Sequence, residues 1–339
     1  MDTRLLGEQE IGIAAKLIQN GEAVGMPTET VYGLACDAYN ADAVKKVFAA
    51  KGRPADNPLI VHIAGLDEWK PLVKEIPPLA QKLAERFWPG PLTIILPRTE
   101  RIPSVTAGGL DTVGVRFPAH PLAQALIRES GVPLAAPSGN RSGSPSPTTA
   151  AHMMADMDGR IPAIIDGGSC LCGVESTVIS LEDEKTVRVL RPGFVTPEQL
   201  GTIAENVIVD KAVLSQLAPD TIVRSPGMKY KHYAPKAAVT LVNGDAAHFL
   251  SYMNAHSGDG IFALVFDADM PACKNRLFRA VPYGDTDEER AQAFFARLRE
   301  LDEAGAQHIF VRAPRTDGVG LAVYNRLIRA AGYNVVTLS

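Results

Sequence analysis

Apolar residues recur at helical spacing in three segments of the first quarter of the chain. Residues 4–20 predict an amphipathic helix, and residues 41–51 predict a second helix with Asn40 as its N-cap. A third helix is expected from Pro78 to the break at residues 88–91, because proline is favoured in the first turn of a helix. Each helix would bury one face, so the pattern predicts a packed globular core.

Short apolar runs between and after these helices predict strands. They cover residues 23–26, 59–63, 92–96, 132–136, 161–165, 174–179 and 187–190. Residues 111–118 alternate, so that Val113 and Val115 would face the core while Gly114 and Arg116 share the other face. There Gly114 would leave room for a ligand, and Arg116 could neutralise a carboxylate or phosphate. A solvent-facing strand with a surface arginine explains the same pattern equally well.

The pattern changes in the last third of the chain. Residues 195–220 look helical and then irregular, and from residue 239 onward short apolar strands alternate with helices near 286–303 and 319–331. This alternation predicts a small parallel sheet of the doubly wound type. The segment lacks the G-x-G-x-x-G fingerprint, so dinucleotide binding is not supported.

Length and patterning together predict two domains. A first α/β domain is expected over residues 1–212, a linker over 213–237 and a second α/β domain over 238–339. Residues 225–235 of the linker are rich in aromatic and basic side chains, which favours a segment that binds something over a passive tether.

Composition is that of an ordinary globular protein. Of the 339 residues, 46% are hydrophobic and 21% charged, which argues against disorder. The sequence has no apolar run long enough to cross a membrane, and its first residues are too charged for a secretory signal, so a cytosolic protein is expected. The formal net charge of −4 argues against a general nucleic-acid-binding surface.

The four cysteines predict free thiols. Cys36, Cys170, Cys172 and Cys273 are too few and too scattered for a disulfide framework. No second pair and no histidine cluster stands at zinc-like spacing, so no metal site is expected.

Residues 24–63 combine turn chemistry, clustered cations and a strand, and we interpret them as an anion-binding cradle. Gly52 permits a left-handed helix cap and Pro54 prevents continuation of the helix, so the corner is stiff. Lys51 and Arg53 project from it and could bind phosphate or carboxylate oxygens. Asn57 adds an amide nearby.

The roles of three neighbouring side chains are less clearly indicated by the sequence. Lys45 and Lys46 lie on the opposite face of the predicted helix and are expected to be solvated charges. His62, on the following strand, could face the same cavity as Lys51 and Arg53, although a lone strand histidine is normally structural.

Polar segments at further strand ends indicate one crevice. Residues 137–148 are rich in serine and proline, residues 173–177 carry two hydroxyls, and Arg191 stands at another strand end. Composition alone would make the first segment a flexible linker. Its position after a strand favours a binding loop, because ligand crevices of α/β sheets lie at strand ends.

Taken in order, these motifs resemble a known family. They are PTETVYGL (27–34), KGRPADNPL (51–59) followed by His62, DTVGVRFP (111–118), PSGNRSGSPSPT (137–148), GVESTV (173–178), RPG (191–193) and SPGMKYKHYAP (225–235). The chain is similar to the YrdC-like threonylcarbamoyl-AMP synthases in their long two-domain form. The resemblance covers nearly the whole chain.

The resemblance implies a fold and a reaction. The fold would be a YrdC-like twisted mixed sheet with helices and a concave binding face, followed by a small Rossmann-like parallel α/β/α domain. The enzyme would be a cytoplasmic nucleotidyltransferase that condenses L-threonine, bicarbonate or CO2 and ATP, with Mg²⁺, into L-threonylcarbamoyladenylate and pyrophosphate. The product would pass to the machinery that forms N6-threonylcarbamoyladenosine at position 37 of tRNAs reading ANN codons, with a weak tRNA contact as an option.

The resemblance also implies residue roles. Lys51 and Arg53 would be catalytic, and no protein side chain would hold a metal. ATP contacts would fall on Lys51, Arg53, Asn57, Thr112, Ser138, Asn140, Ser146, Arg191, Tyr230 and His232, and threonine contacts on Thr30, His62, Arg116, Ala136 and Ser176. The linker would close over the nucleotide through Tyr230 or its neighbours His232 and Tyr233. Gly139 stands where the family more often has alanine.

Two other interpretations remain open at this point. One is a non-catalytic protein that binds tRNA or double-stranded RNA, against which the net charge and the lack of an aromatic platform argue. The other is a carbamoyl-transfer domain with the same YrdC-like fold. Such domains normally accompany zinc-finger and acylphosphatase-like modules, and neither is recognisable in this sequence.

Overall fold

The computed structural model describes residues 2–53, 57–216, 233–274, 276 and 278–338. Most of the predicted linker, including Tyr230 and His232, therefore lies outside the described residues. The described residues form two β-sheets with helices packed on them, one mixed and one parallel. The predicted fold class is confirmed.

The larger sheet has eleven strands and is mixed. Its strands are β1 (Arg4–Leu6), β2 (Val24–Met26), β3 (Gly33–Asp37), β4 (Ile60–His62), β5 (Leu92–Pro97), β6 (Thr112–Arg116), β7 (Leu134–Ala135), β8 (Ala163–Ile165), β9 (Thr177–Leu181), β10 (Thr186–Arg191) and β11 (Asn206–Val209). They are ordered β1-β8-β2-β3-β7-β4-β6-β5-β9-β10-β11 across the sheet. The parallel pair β4 and β6 aligns His62 with Arg116, which brings two predicted site residues side by side.

The helices of this first half are α1 (Ile11–Gln19), α2 (Ala41–Lys51), α3 (Pro78–Phe87), α4 (Pro121–Ser130), α5 (Ala150–Met157) and α6 (Pro197–Leu200). Helix α2 has the predicted boundaries. The Asn40 side chain accepts hydrogen bonds from the backbone N–H groups of Asp42 and Ala43, and Gly52 caps the other end with a φ of 63°. Because both ends are capped, the direction in which Lys51 leaves the helix is fixed.

The smaller sheet has five strands, all parallel, as predicted for the last third of the chain. They are β12 (Ala238–Asn243), β13 (Ile261–Val265), β14 (Arg279–Pro282), β15 (His308–Arg312) and β16 (Val335–Thr337), in the order β14-β13-β15-β12-β16. Their helices are α7 (Ala246–Ala255), α8 (Met270–Cys273), α9 (Asp287–Glu303) and α10 (Gly320–Ala330). The core of this sheet includes Val31 and Val174, so the two halves of the chain share buried contacts.

Three short segments differ from the sequence-based predictions. The helix predicted over residues 4–20 begins only at Ile11, because residues 4–6 pair with β8 as a strand. The described part of the segment predicted at 195–220, residues 195–216, contains the four-residue helix α6, then β11, which pairs parallel with β10, and a short 3-10 turn at Lys211–Val213. Strand β3 was missed, since its run of buried residues has no alternation. In each case tertiary pairing decides the structure of a segment with weak local preference.

Several surface and composition predictions are also testable on the structure. None of the described helices combines the length and the apolar character that a membrane span requires. All four cysteines are buried free thiols, and burial raises the pKa of Cys172 to about 12. Lys45 and Lys46 pair with surface carboxylates at 2.9 and 2.7 Å, as expected of solvated helix charges.

Candidate active site

A cleft of about 750 Å³, including its solvent-open part, lies at the strand ends of the larger sheet. The predicted site residues that line it are Thr30, Lys51, Arg53, His62, Arg116, Ala136, Ser138, Asn140, Ser176 and Arg191. They come from separate strands, turns and loops, so the fold gathers in one place polar groups that are far apart in sequence.

The other predicted site residues do not line this cleft. Asn57 is fully buried, and its side-chain amide has no hydrogen-bond partner among the described residues. Thr112 lines a smaller neighbouring cavity of about 250 Å³, which shares residues 58–60 with the cleft wall and is also lined by Gly114. The space beside Gly114 is taken by Thr93, whose methyl carbon would lie 3.0 Å from an added Cβ, rather than left empty for a ligand. Ser146 is fully buried.

Lys51, the last residue of α2, lies in the cleft wall and is only 4% exposed. Its Nζ donates hydrogen bonds to the backbone carbonyl oxygens of Ser138 and Asn140. Burial, and then the neighbouring Arg53 charge, lower the pKa of Lys51 to about 7. The lysine thus fastens the loop after β7 to the corner of α2, and an anion in the cleft would favour its charged form.

Arg116 faces the cleft from β6, while Val113 and Val115 are buried on the opposite face. Its Nη1 donates a hydrogen bond to Thr30 Oγ1 at 2.8 Å, and its Nη2 lies 2.7 Å from Glu29 Oε1. Both members of this ion pair are more than nine-tenths buried. The strand alternation was therefore predicted correctly, and the alternative of a surface arginine is wrong.

His62 lines the cleft beside Arg116. Burial, and then the Arg116 charge, lower the pKa of His62 to about 3, so the imidazole is neutral at physiological pH. Its Nδ1 has no hydrogen-bond partner among the described residues. A neutral imidazole with an unpaired nitrogen can donate a hydrogen bond to a ligand or accept one from it, depending on the tautomer, without adding charge to the site.

Arg191, at the end of β10, is joined to Ser176, just before β9. Its Nε donates to the Ser176 carbonyl oxygen at 3.0 Å and its Nη2 to Ser176 Oγ at 3.1 Å. Ser176 Oγ lies 2.8 Å from Thr93 Oγ1. Burial lowers the pKa of Arg191 to about 10, which leaves the guanidinium charged at neutral pH.

Two buried carboxylates, Glu29 and Glu175, were not among the predicted site residues. Glu175 lines the cleft, and its Oε1 accepts a hydrogen bond from Ser146 Oγ at 2.6 Å. Glu29 lies behind Arg116. The available signal was a charged residue inside each of two buried turns of hydroxyl and apolar residues, PTET and GVEST.

The contacts sort the cleft into groups with different chemistry. Thr30, His62 and Arg116 form one group, joined by a hydrogen bond and by strand pairing, which suits a ligand carboxylate. Lys51 and Arg53 lie on the loop side with Ser138 and Asn140, which suits phosphate oxygens. Among the described residues, no group of three or more His, Cys, Asp or Glu side chains is arranged to hold a metal ion.

Known protein families match this chain over nearly its whole length. A family model for Sua5, YciO and YrdC, described as "Telomere recombination", matches residues 16–193, and the model described as "Threonylcarbamoyl-AMP synthase, C-terminal domain" matches residues 195–332. The threonylcarbamoyl-AMP synthase of Pyrococcus abyssi is 45% identical over 97% of this chain and 96% of its own length.

Two further comparisons differ in how much of the chain they cover. The crystal structure of Pyrococcus abyssi Sua5 complexed with L-threonine has a TM-score of 0.90 and 42% identity, and covers 100% of both chains. A threonylcarbamoyl-AMP synthase from Pseudomonas aeruginosa is 34% identical over 53% of this chain and 95% of its own length. The cleft geometry, both family models and the full-length similarity lead to one conclusion: the chain belongs to the Sua5/YrdC family of threonylcarbamoyl-AMP synthases, in its two-domain form.

Proposed function

We propose that the protein condenses L-threonine, bicarbonate or CO2 and ATP into L-threonylcarbamoyladenylate with release of pyrophosphate. The observation that carries this proposal is that one cleft holds a buried arginine beside hydroxyl groups, Arg116 with Thr30, together with the buried cation Lys51. Threonine needs the first arrangement and ATP needs the second. The full-length relatives named for this reaction support the same assignment.

Threonine would occupy the Arg116 group. Arg116 would bind its carboxylate, while Thr30 or Ser176 recognises its side-chain hydroxyl. His62 is uncharged at neutral pH, so it can contact the amino acid without repelling its ammonium group. The backbone at Ala136 completes this wall of the cleft.

ATP would occupy the remaining wall. Lys51 and Arg53 would contact its phosphates, with Ser138, Asn140 and Arg191 around the nucleotide. The proposed ATP contacts also include Asn57, Thr112 and Ser146. These residues do not line the cleft, but they adjoin or contact residues that do. We propose that Mg²⁺ arrives with ATP and is held by phosphate and water oxygens, since Mg²⁺ commonly keeps such ligands in nucleotide enzymes.

The chemistry needs no covalent enzyme intermediate. The threonine amine attacks the carbon of CO2 and loses a proton, which gives a carbamate. A carbamate oxygen then attacks the α-phosphorus, and the bond to the bridging oxygen breaks as pyrophosphate leaves. Positioning, together with the charges of Lys51 and Arg53 near the leaving group, can supply the catalysis.

The wider role follows from the product. We propose that it passes, in the cytoplasm, to the machinery that modifies position 37 of tRNAs reading ANN codons. We also propose that residues 1–212 form the catalytic domain, 213–237 a lid over the cleft and 238–339 the C-terminal domain. Tyr233 supports the lid, because it lines the cleft immediately after the undescribed residues.

Pyrophosphate release from ATP, bicarbonate and Mg²⁺ tests the proposed function. L-Threonine should stimulate release, whereas L-serine and L-valine should do so much less, because the pocket must recognise both the hydroxyl and the methyl group. Release that is absent or indifferent to the amino acid would overturn the assignment. Salt-dependent tRNA binding without ATP turnover would then favour an RNA-binding protein.

A further inference from the structure

A fully buried arginine of the second domain reaches the wall of the cleft. Arg326, on α10, is 0% exposed, and its Nε donates to Glu175 Oε2 at 2.9 Å. Its Nη1 donates to the Pro192 carbonyl oxygen at 2.5 Å, and its Nη2 to the Glu175 carbonyl oxygen at 3.2 Å. The guanidinium thus contacts both the side chain and the backbone of the first domain.

Glu175 connects this arginine to the proposed nucleotide contacts. Its other carboxylate oxygen accepts the hydrogen bond from Ser146, and its residue lines the cleft together with Arg191. Burial alone would raise the pKa of Glu175, but Arg326, and then Arg191, outweigh burial and hold the pKa below its usual range. Glu175 is therefore a carboxylate anion inside the cleft wall.

A carboxylate at this place is unfavourable for ATP binding unless its charge is balanced. Like charges repel more strongly where water is excluded, so an unbalanced Glu175 would oppose a bound triphosphate. A buried ion pair is also expensive to form compared with apolar packing. Arg326, which is fully buried and does not line the cleft, offsets the charge and leaves the hydrogen bond between Glu175 and Ser146 intact.

We propose that Arg326 of the second domain is a positioning residue for the nucleotide: it holds and neutralises Glu175, which lines the cleft together with Arg191 and accepts the hydrogen bond of Ser146. This inference rests on the proposed synthase function. The Pseudomonas aeruginosa relative matches 53% of this chain over 95% of its own length, which is too short to include both domains, so the dependence belongs to the two-domain form. The second domain then completes the cleft of the first.

A double-mutant cycle in the full-length chain tests the proposal. The variants are Arg326→Met, Glu175→Gln and the two combined, with the ATP and threonine KM measured by pyrophosphate release. Arg326→Met should raise the ATP KM about 10- to 100-fold, as expected for loss of a hydrogen-bonded charge partner, and change the threonine KM much less. Glu175→Gln removes the charge and keeps an acceptor for Ser146, so it should change the ATP KM much less than Arg326→Met does. The double variant should resemble Glu175→Gln alone, because the arginine acts through the carboxylate.

Arg329→Met is the matched control. Arg329 is on the same helix, is also buried and donates to the Ala212 carbonyl oxygen of the first domain at 2.9 Å, but it makes no hydrogen bond to Glu175 among the described contacts. This variant should lower the melting temperature without raising the ATP KM. It separates a loss of interdomain packing from a loss of nucleotide positioning.

Each outcome has a definite meaning. An ATP KM in Arg326→Met that matches Arg329→Met, or losses that multiply in the double variant, would overturn the positioning role. If Arg326→Met does not fold because it leaves Glu175 buried without its partner, the double variant decides: an ATP KM close to that of Glu175→Gln supports the role, and a KM raised well above it overturns the role. Wild-type protein without threonine-dependent pyrophosphate release would instead refute the proposed function.

Discussion

Two buried carboxylate–guanidinium pairs lie at the cleft, and they face it in opposite senses. In the pair of Glu29 and Arg116, the guanidinium lines the cleft and the carboxylate lies behind it. In the pair of Glu175 and Arg326, the carboxylate lines the cleft and the guanidinium lies behind. The first pair is built within one domain, whereas the second joins two.

The difference in orientation indicates a difference in task. A guanidinium at the surface of the cleft can bind a ligand carboxylate directly, and the carboxylate behind it holds its orientation. A carboxylate at the surface would repel phosphate, so it acts through its neighbours and requires a counter-charge. The first pair should therefore govern threonine, and the second should govern ATP.

Of the substitutions that test these two pairs, Arg116→Ala should have the largest effect on kinetics and stability. The variant would lose the proposed contact with the threonine carboxylate, so the threonine KM should rise on the order of 10- to 100-fold, and the ATP KM less. It also leaves Glu29 buried without its partner, which should lower the free energy of unfolding by about 3–5 kcal/mol. Steady-state kinetics and denaturant unfolding measure the two effects.

A surface arginine provides the control for that substitution. Arg188, on β10, makes its ion pair with Glu182 where both side chains are about 30% exposed (27% and 32%). Arg188→Ala should leave both KM values close to those of the wild type. If Arg116→Ala raised the ATP KM more than the threonine KM, the assignment of the two pairs would have to be reversed.

A smaller effect is expected from Glu29→Ala. Arg116 would keep its charge but lose the carboxylate that pairs with its Nη2, so its orientation toward the proposed threonine site would be less well defined. The threonine KM should rise by up to about tenfold, with little change for ATP. Glu29→Gln keeps the shape of the side chain without its charge, so the difference between the two variants measures how much of the effect comes from the charge. Equal threonine KM values for wild type and Glu29→Ala would show that the carboxylate does not position Arg116.

Features that depend on local chemistry could be predicted from the sequence. Helix α2 was predicted with its ends because Asn40 and Gly52 cap it. The inward face of Arg116 followed from the alternation of β6, and the parallel second sheet followed from alternating strands and helices. These patterns lie within a few residues of the feature that they determine.

Features that depend on distant partners could not be predicted. Arg326 is 151 positions from Glu175, and no local pattern of α10 distinguishes it from other arginines of an amphipathic helix. Strand β1 was missed for the same reason, because its partner β8 is remote in the chain. The cleft's cations were recognisable, but the carboxylates that hold or offset them were not.

Lys51 differs from the arginines of the cleft because its charge titrates near neutral pH. With a pKa of about 7, Lys51 is largely neutral in the free protein above pH 8, whereas ATP phosphates favour its charged form. ATP binding should therefore take up as much as about one proton at pH 8.5, and ATP affinity should fall as pH rises above 7. Calorimetry in buffers of different ionisation enthalpy measures the uptake. Lys51→Met should bind ATP without it, and wild-type binding with no proton uptake would place the charged lysine outside the ATP site.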